Sequence, residues 1–174
     1  MPVIRPSQTQ DLSDICTIYA HHVATGTGTF ELTSPTLNEM ASRREDVLAK
    51  DLPYLVAVDG EQVLGFAYCN WFKPRPAYRY SAEDSIYMAP HASGHGLGRA
   101  LLAELAIKAQ QVGVRKLIAV IGDSNNVASI GVHRSVGFTP VGILKSCGWK
   151  FDRWLDVVLM EMALGLGDTC HPQA

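Results

Sequence analysis

Apolar residues recur along the chain with two periods, and the alternation between those periods outlines the fold. Leu12, Ile15, Cys16, Tyr19 and Val23 fall at helical spacing between Asp11 and Val23. Thr36 and Glu39 form the Thr-x-x-Glu signature of a helix start, which predicts a second helix running to about Lys50. "YLVAV", Asp59-Gly60 and "QVLGFAYCNWF" predict a hairpin closed by a tight turn. A proline-broken basic loop, "KPRPAYRY", leads into a strand at about Asp84 to Met88. The stretch "SGHGLG" follows, then the helical run "RALLAELAIKAQQ", which stops at Gly113. "KLIAVI" reads as a buried strand, "VASIGVHRSV" as a short helix, and "FTPVGILKSC" and "RWLDVVLMEMAL" as closing strands, after a first short strand at "VIRPS". The pattern predicts one α/β domain over residues 1–164. Its mixed, largely antiparallel central sheet is flanked by helices, with a βαβ crossover after the glycine loop. Residues 165–174 have little to bury and read as a loose tail.

Composition narrows the function. The chain has 174 residues, 47% of them hydrophobic, enough for one sizeable core. A net charge of −2 gives no electrostatic case for nucleic acid or an anionic membrane. The four cysteines are scattered without metal-binding spacing, and read as core fillers in a reducing compartment. No signal-peptide profile or membrane-length apolar run is present, so a cytoplasmic location is expected. His91 and His95 lie on the glycine loop rather than one helix face, and no metal site is expected.

The glycine loop carries the first chemistry. Its spacing fails the dinucleotide-binding pattern, because Arg99 and Leu101 stand where glycine is needed, and no Walker lysine follows. Yet a strand, then Ser-Gly-His-Gly-Leu-Gly, then a helix points successive backbone N–H groups and a helix N-terminus at one spot, an anion cradle of a different design. An ordinary glycine-rich turn is the plainer alternative.

With "SNNVASIGVHRSVGF" downstream, the sequence resembles the GNAT superfamily of acetyl-CoA-dependent N-acetyltransferases. The superfamily loop Arg/Gln-x-x-Gly-x-Gly/Ala aligns with Ser93 to Gly98, and its later Asn-to-Gly-Phe region aligns loosely with Asn125 to Phe138. "FELTSPTLNEM", "YLVAVDGEQVLGFAY", "PRPAYRYSAEDSIYM" and "KFDRWLDVVLM" resemble the phosphinothricin and methionine sulfoximine acetyltransferase branch, from about Ile4 to Leu164. Ser93 departs from the superfamily's Arg or Gln, which removes a charge-assisted phosphate contact but leaves the backbone donors in place.

The resemblance implies acetyl-CoA as co-substrate, no metal, a small amine as acceptor and a homodimer. It implies Glu83 as general base and places His133 where much of the superfamily carries a tyrosine acid. Two readings of His133 stay open, proton donor or packed structural histidine. The implied coenzyme contacts are Ile86, Tyr87 and Met88 on the strand, Gly94, His95, Gly96, Leu97, Gly98 and Arg99 on the cradle, and Asn125 and Asn126 beyond it. Asn126 has a second reading, as a helix N-cap. For the acceptor, the resemblance points to Phe30, while Lys73, Arg75, Tyr78 and Arg79 combine cations with aromatic walls suited to a carboxylate-bearing amino-acid analogue. Arg79 is the expected principal carboxylate contact, and Arg75, between two prolines, the lesser one. No cysteine has a nucleophile's setting, so direct transfer in a ternary complex is expected. The alternatives are acetylation of another small amine or a protein N-terminus, and a non-catalytic acyl-CoA sensor.

Overall fold

The computed structural model describes residues 2–172. Seven strands form one sheet in the order β1-β2-β3-β4-β5-β7-β6. They are β1 (Val3–Pro6), β2 (Tyr54–Asp59), β3 (Gln62–Trp71), β4 (Ser81–Met88), β5 (Lys116–Gly122), β6 (Thr139–Lys150) and β7 (Arg153–Ala163). Every neighbouring pair is antiparallel except β4 with β5, which are parallel and joined by a helical crossover. The mixed α/β architecture expected from the hydrophobic pattern is present.

Four helices cover the sheet: α1 (Leu12–Thr25), α2 (Leu37–Leu48), α3 (Leu97–Gln111) and α4 (Val127–Val136). At the start of α2, Thr36 and Glu39 exchange the reciprocal side-chain-to-backbone bonds of a capping box. Because successive strand residues face opposite ways, β4 sorts the helices. Tyr87 meets Tyr19 of α1 edge-on at 4.9 Å, whereas Met88 lies beside Gly98 of α3. α1 therefore packs on one face and α3 on the other.

The α1 face is built from stacked aromatics. Tyr54 stacks on Tyr68 at 4.8 Å and Phe66 on Tyr87 at 5.3 Å, each ring opposite or diagonal to its neighbour across paired strands. One continuous buried cluster joins these rings to Leu101, Leu102 and Leu105 of α3 through the sheet.

Two details differ from the sequence reading. β5 is not uniformly buried: Val120 is 36% exposed, because β4 and β5 have separated by that point. Of the four cysteines only Cys69 is fully buried, and Cys147 and Cys170 are exposed rather than core-filling. Within 165–174, residues 173 and 174 lie outside the described residues. Residues 165–168 form a turn, and the Arg115 guanidinium lies 3.4 Å from the His171 carbonyl.

The turn end of the β6–β7 hairpin and the last residue of β5 approach the loop after α1 so closely that only glycine fits. A Cβ on Gly148 would overlap the Phe30 ring, and one on Gly122 would overlap the Thr27 carbonyl. Gly148→Ala is therefore expected to destabilise by about 1–3 kcal/mol through overpacking, lowering Tm by about 2–10 °C. Gly131→Ala, where a Cβ meets open space in α4, should leave Tm unchanged or raise it. Thermal melts of both variants check this pair.

Candidate active site

The parallel ladder between β4 and β5 runs only from Ser81↔Lys116 to Asp84↔Ala119. Beyond that fork β4 stays with β3, and β5 stays with β7. A cleft of about 750 Å³ opens between them, lined by Glu83 to Met88 on one side and Val120 to Asp123 on the other. The direction of the β4 backbone decides what the cleft offers. Ala89 donates to Leu64 and Ser81 accepts from Phe72, both on the β3 side. Odd-numbered residues of β4 thus pair with β3, while Ile86 and Met88 turn their N–H and C=O groups toward the cleft. Tyr87, between them, spends its backbone on β3. The Met88 carbonyl accepts 2.8 Å from Nε2 of His22, which must therefore carry the proton.

The glycine loop closes one end of the cleft. Gly94 and Gly96 have φ of +86° and +79°, conformations natural to glycine, and a Cβ on either would project into open space. Gly96 caps α3 without any side-chain bond, so the first N–H groups of α3 are left for a ligand. Ser93, Gly94, Gly96, Gly98 and Arg99 all line the cleft. His95 and Leu97 do not: His95 is exposed, and Leu97 packs against the core. The donor set fits a phosphate-bearing ligand with an extended amide arm, as coenzyme A is. Asn125 and Asn126 also line the cleft, but Asn126 accepts from Ser129 N–H at 3.2 Å and serves as the α4 N-cap.

Glu83 and Asp84 stand at the fork on opposite faces of β4. Glu83 is half-buried, and burial, helped by the Asp84 charge and opposed by Lys73, raises its proton affinity above that of a free glutamate. Asp84 reaches His133 of α4, with Oδ2 2.8 Å from Nε2. The other imidazole nitrogen, Nδ1, lies 2.7 Å from the Ser129 carbonyl. Burial disfavours the imidazolium, but the hydrogen bond and charge of Asp84, with the Ser129 carbonyl, outweigh it and raise the His133 pKa.

A second cavity, about 530 Å³, opens on the α2 side of β4. Tyr68, Trp71, Phe72, Lys73 and Pro74 line it, and Glu83 and Ser85 line both it and the cleft. The two cavities meet at Glu83. Lys73 sits over the Phe72 ring at 4.8 Å. Arg75, Tyr78 and Arg79 lie outside both cavities, on an exposed turn. Arg79 packs over the Tyr80 ring at 4.6 Å and donates to the Pro76 carbonyl. The short helical turn Pro76–Tyr78 carries these side chains away from the cavity mouth. Phe30 lines the cleft from a roof loop, residues 26–30.

Two site residues escape a sequence reading. His22 of α1 faces the cleft, where burial lowers its proton affinity, and nothing in its local sequence assigns it a partner. Lys150, from the far end of β6, is 3% exposed and donates to the Gly26 and Thr29 carbonyls at 2.8 and 2.9 Å, pinning the roof. No local pattern marks that contact. Among the described residues, no group of His, Cys, Asp and Glu is arranged to hold a metal.

Known proteins resemble this chain in sequence and fold. The phosphinothricin N-acetyltransferase of Alcaligenes faecalis is 48% identical over 170 residues, covering 98% of this chain and 86% of that protein. The L-methionine sulfoximine/L-methionine sulfone acetyltransferase of Pseudomonas aeruginosa is 35% identical over 162 residues, covering 92% and 94%. Among solved structures, a GNAT superfamily phosphinothricin acetyltransferase from Sinorhizobium meliloti in complex with AcCoA superposes with a TM-score of 0.96 at 40% identity, covering 99% of this chain and 93% of that one. The Acetyltransferase (GNAT) family pattern matches residues 18–138, which run from within α1 through the fork and the glycine cradle to the end of α4. A strand pair that parts over a glycine cradle, carried by a sequence with these relatives, makes this chain a member of the GNAT acetyltransferase family.

Proposed function

We propose that the protein acetylates the α-amine of a small amino-acid-like compound of the phosphinothricin, methionine sulfoximine or methionine sulfone type, with acetyl-CoA as donor. The observation that carries this reading is Glu83, the charged side chain shared by a cradle-ended cleft and a basic, aromatic cavity. Acetyl-CoA, when bound, supplies the acetyl group as a thioester. The cradle N–H groups hold its phosphates, and the outward N–H and C=O groups of Ile86 and the N–H of Met88 pair with its arm. Glu83 takes the proton that the incoming ammonium must lose, and its raised affinity suits it better to that task than an ordinary carboxylate. Lys73, on the acceptor side, attracts a carboxylate or an oxidised sulfur or phosphorus group between aromatic walls. Acetylation erases the charge of the α-ammonium, the chemistry by which a toxic amino-acid analogue is disabled. A non-catalytic sensor would have no use for a half-buried carboxylate of raised proton affinity at the junction of two cavities.

A cytoplasmic homodimer is the form we propose. Free thiols favour a reducing compartment. The outer edge strand β6 exposes Val141, Ile143 and Leu144, and Trp149 and Trp154 remain 52% and 63% exposed beside them, an apolar stretch suited to a second copy. Sedimentation velocity should give twice the 18.9 kDa chain mass, and Ile143→Glu with Leu144→Glu should shift it toward monomer. A monomeric parent protein would end this part of the proposal.

Glu83→Gln is expected to lower kcat by ~10²-fold, as loss of a general base does. In the parent, kcat/KM should fall as pH drops through a value above 4.5, because only the carboxylate form accepts a proton. The variant should lose that acid limb, and a pH-rate profile of both proteins reads it. An unchanged kcat would move the base elsewhere.

Acceptor recognition is tested at the loop. Lys73→Ala should reduce kcat/KM for methionine sulfone or phosphinothricin ~10-fold or more, about 1.4 kcal/mol, with the KM for acetyl-CoA little changed. Arg79→Ala should cost less, since its guanidinium lies over Tyr80 outside the cavity. Steady-state kinetics on both variants would reverse the assignment if Arg79 proved the larger.

A further inference from the structure

Asp84 is buried, charged and absent from the scheme above. Its Oδ2 meets His133 Nε2 at 2.8 Å, while its Oδ1 is buried without a hydrogen-bond partner among the described residues. Aspartate and imidazole are 6% and 3% exposed, yet both line the cleft at the fork. A single carboxylate oxygen left bare in that place is costly, so the bond made by the other oxygen must hold the pair in register.

The hydrogen bonds fix the proton inventory. A carbonyl oxygen only accepts, so the 2.7 Å contact with Ser129 requires a proton on Nδ1. At 2.8 Å a carboxylate and a bare Nε2 would repel, so the second contact requires a proton between Nε2 and Oδ2. The couple thus carries two protons, one on Nδ1 and one shared with Asp84. The Phe138 ring stands edge-on to the imidazole, centroids 5.0 Å apart, and closes its remaining side to water.

We propose that Asp84 is a positioning residue that keeps the His133 imidazole doubly protonated at the fork, so that the pair stores one proton beside the departing thiolate of the transfer reaction. The inference rests on the acetyltransferase reading. When the carbon–sulfur bond breaks, the electron pair stays on sulfur, and the thiolate competes with Oδ2 for the Nε2 hydrogen. Transfer leaves neutral His133, protonated at Nδ1, facing ionised Asp84. That repulsive state is relieved when solvent returns a proton. Glu83 takes the amine proton on the opposite face of β4, so the two transfers do not share a group.

Other ionisable neighbours do not supply the second proton. Cys69 on β3 has its thiol pushed up to about 12 by burial and the Asp84 charge. Asp123, after β5, pairs with Arg153 at 3.2 Å. Arg134, next to His133 on α4, is exposed, and α3, packed on α4, contributes Arg99 at the cleft and the Glu104–Lys108 pair.

The test begins with the unliganded protein and needs no activity. Nitrogen NMR of the histidine rings, with the His133 signals assigned by their loss in His133→Gln, should show both nitrogens protonated at pH 7, above the ordinary imidazole value of 6.5. In Asp84→Asn, whose amide can donate to a bare Nε2, the Nε2 proton should be lost about one pH unit lower. The stability effect has the matching sign. A raised histidine pKa stabilises fully below the ordinary value of 6.5, and that contribution disappears as pH rises through the native value. The Tm difference between parent and Asp84→Asn should therefore shrink with rising pH. In turnover, the alkaline limb of kcat should move about one pH unit down in Asp84→Asn, while the acid limb owed to Glu83 persists. A merely structural Asp84 predicts equal losses at every pH. A singly protonated His133 at pH 7 in the parent protein would overturn the proposal, whatever the variants do. An unmoved Nε2 titration in folded Asp84→Asn would overturn it as well.

Discussion

Everything at this site follows from a ladder that stops. Parallel pairing of β4 with β5 lasts four residues on each strand and ends at Asp84 and Ala119. Past that point, the outward backbone groups of Ile86 and Met88 have no strand to meet, and buried peptide groups need partners. The His22 imidazole satisfies one of them, the Met88 carbonyl, and the others face the cleft. An extended amide-bearing ligand is the natural replacement strand. The same separation exposes Val120 and lets α4 approach β4 closely enough for His133 to reach Asp84.

Strand alternation then divides the chemistry. Adjacent residues of β4 point to opposite faces, so Glu83 looks toward the α2-side cavity while Asp84 looks toward α4. Two carboxylates side by side in sequence would interfere on one surface. Separated by the sheet, one is half-buried with raised proton affinity, and the other is committed to an imidazole. Asp84 still adds to the affinity of Glu83 through its charge, so the faces are electrostatically linked without sharing a proton path.

The roof over the cleft is held from a distance. Lys150 binds the Gly26 and Thr29 carbonyls, and at the other end of the loop Glu31 accepts from Tyr19 at 2.9 Å and from Arg43 at 2.6 Å. Phe30 lies between these anchors, its ring against Gly122 and Gly148. Anchoring both ends removes the freedom a glycine-rich loop would otherwise have, which keeps the roof in one position before any ligand arrives.

Local pattern carried the sequence reading a long way. Helical spacing, the Thr36–Glu39 capping box, the Asp59-Gly60 turn and the glycine loop before α3 are short-range features, and each stands in the structure where the residues placed it. Because β4 begins at Ser81, strand parity sends Glu83 and Asp84 to opposite faces. What the sequence left open was decided by contacts between residues far apart in the chain. The Asp84–His133 bond spans 49 positions and the Lys150–Gly26 bond 124, and neither has a spacing rule to announce it. The basic loop is the instructive divergence. Its composition made Arg79 the natural carboxylate contact, yet the turn at Pro76–Tyr78 rotates that side chain over Tyr80 and leaves Lys73 at the cavity. Composition determines which charges a loop has, but only the folded path of its backbone determines which way they face.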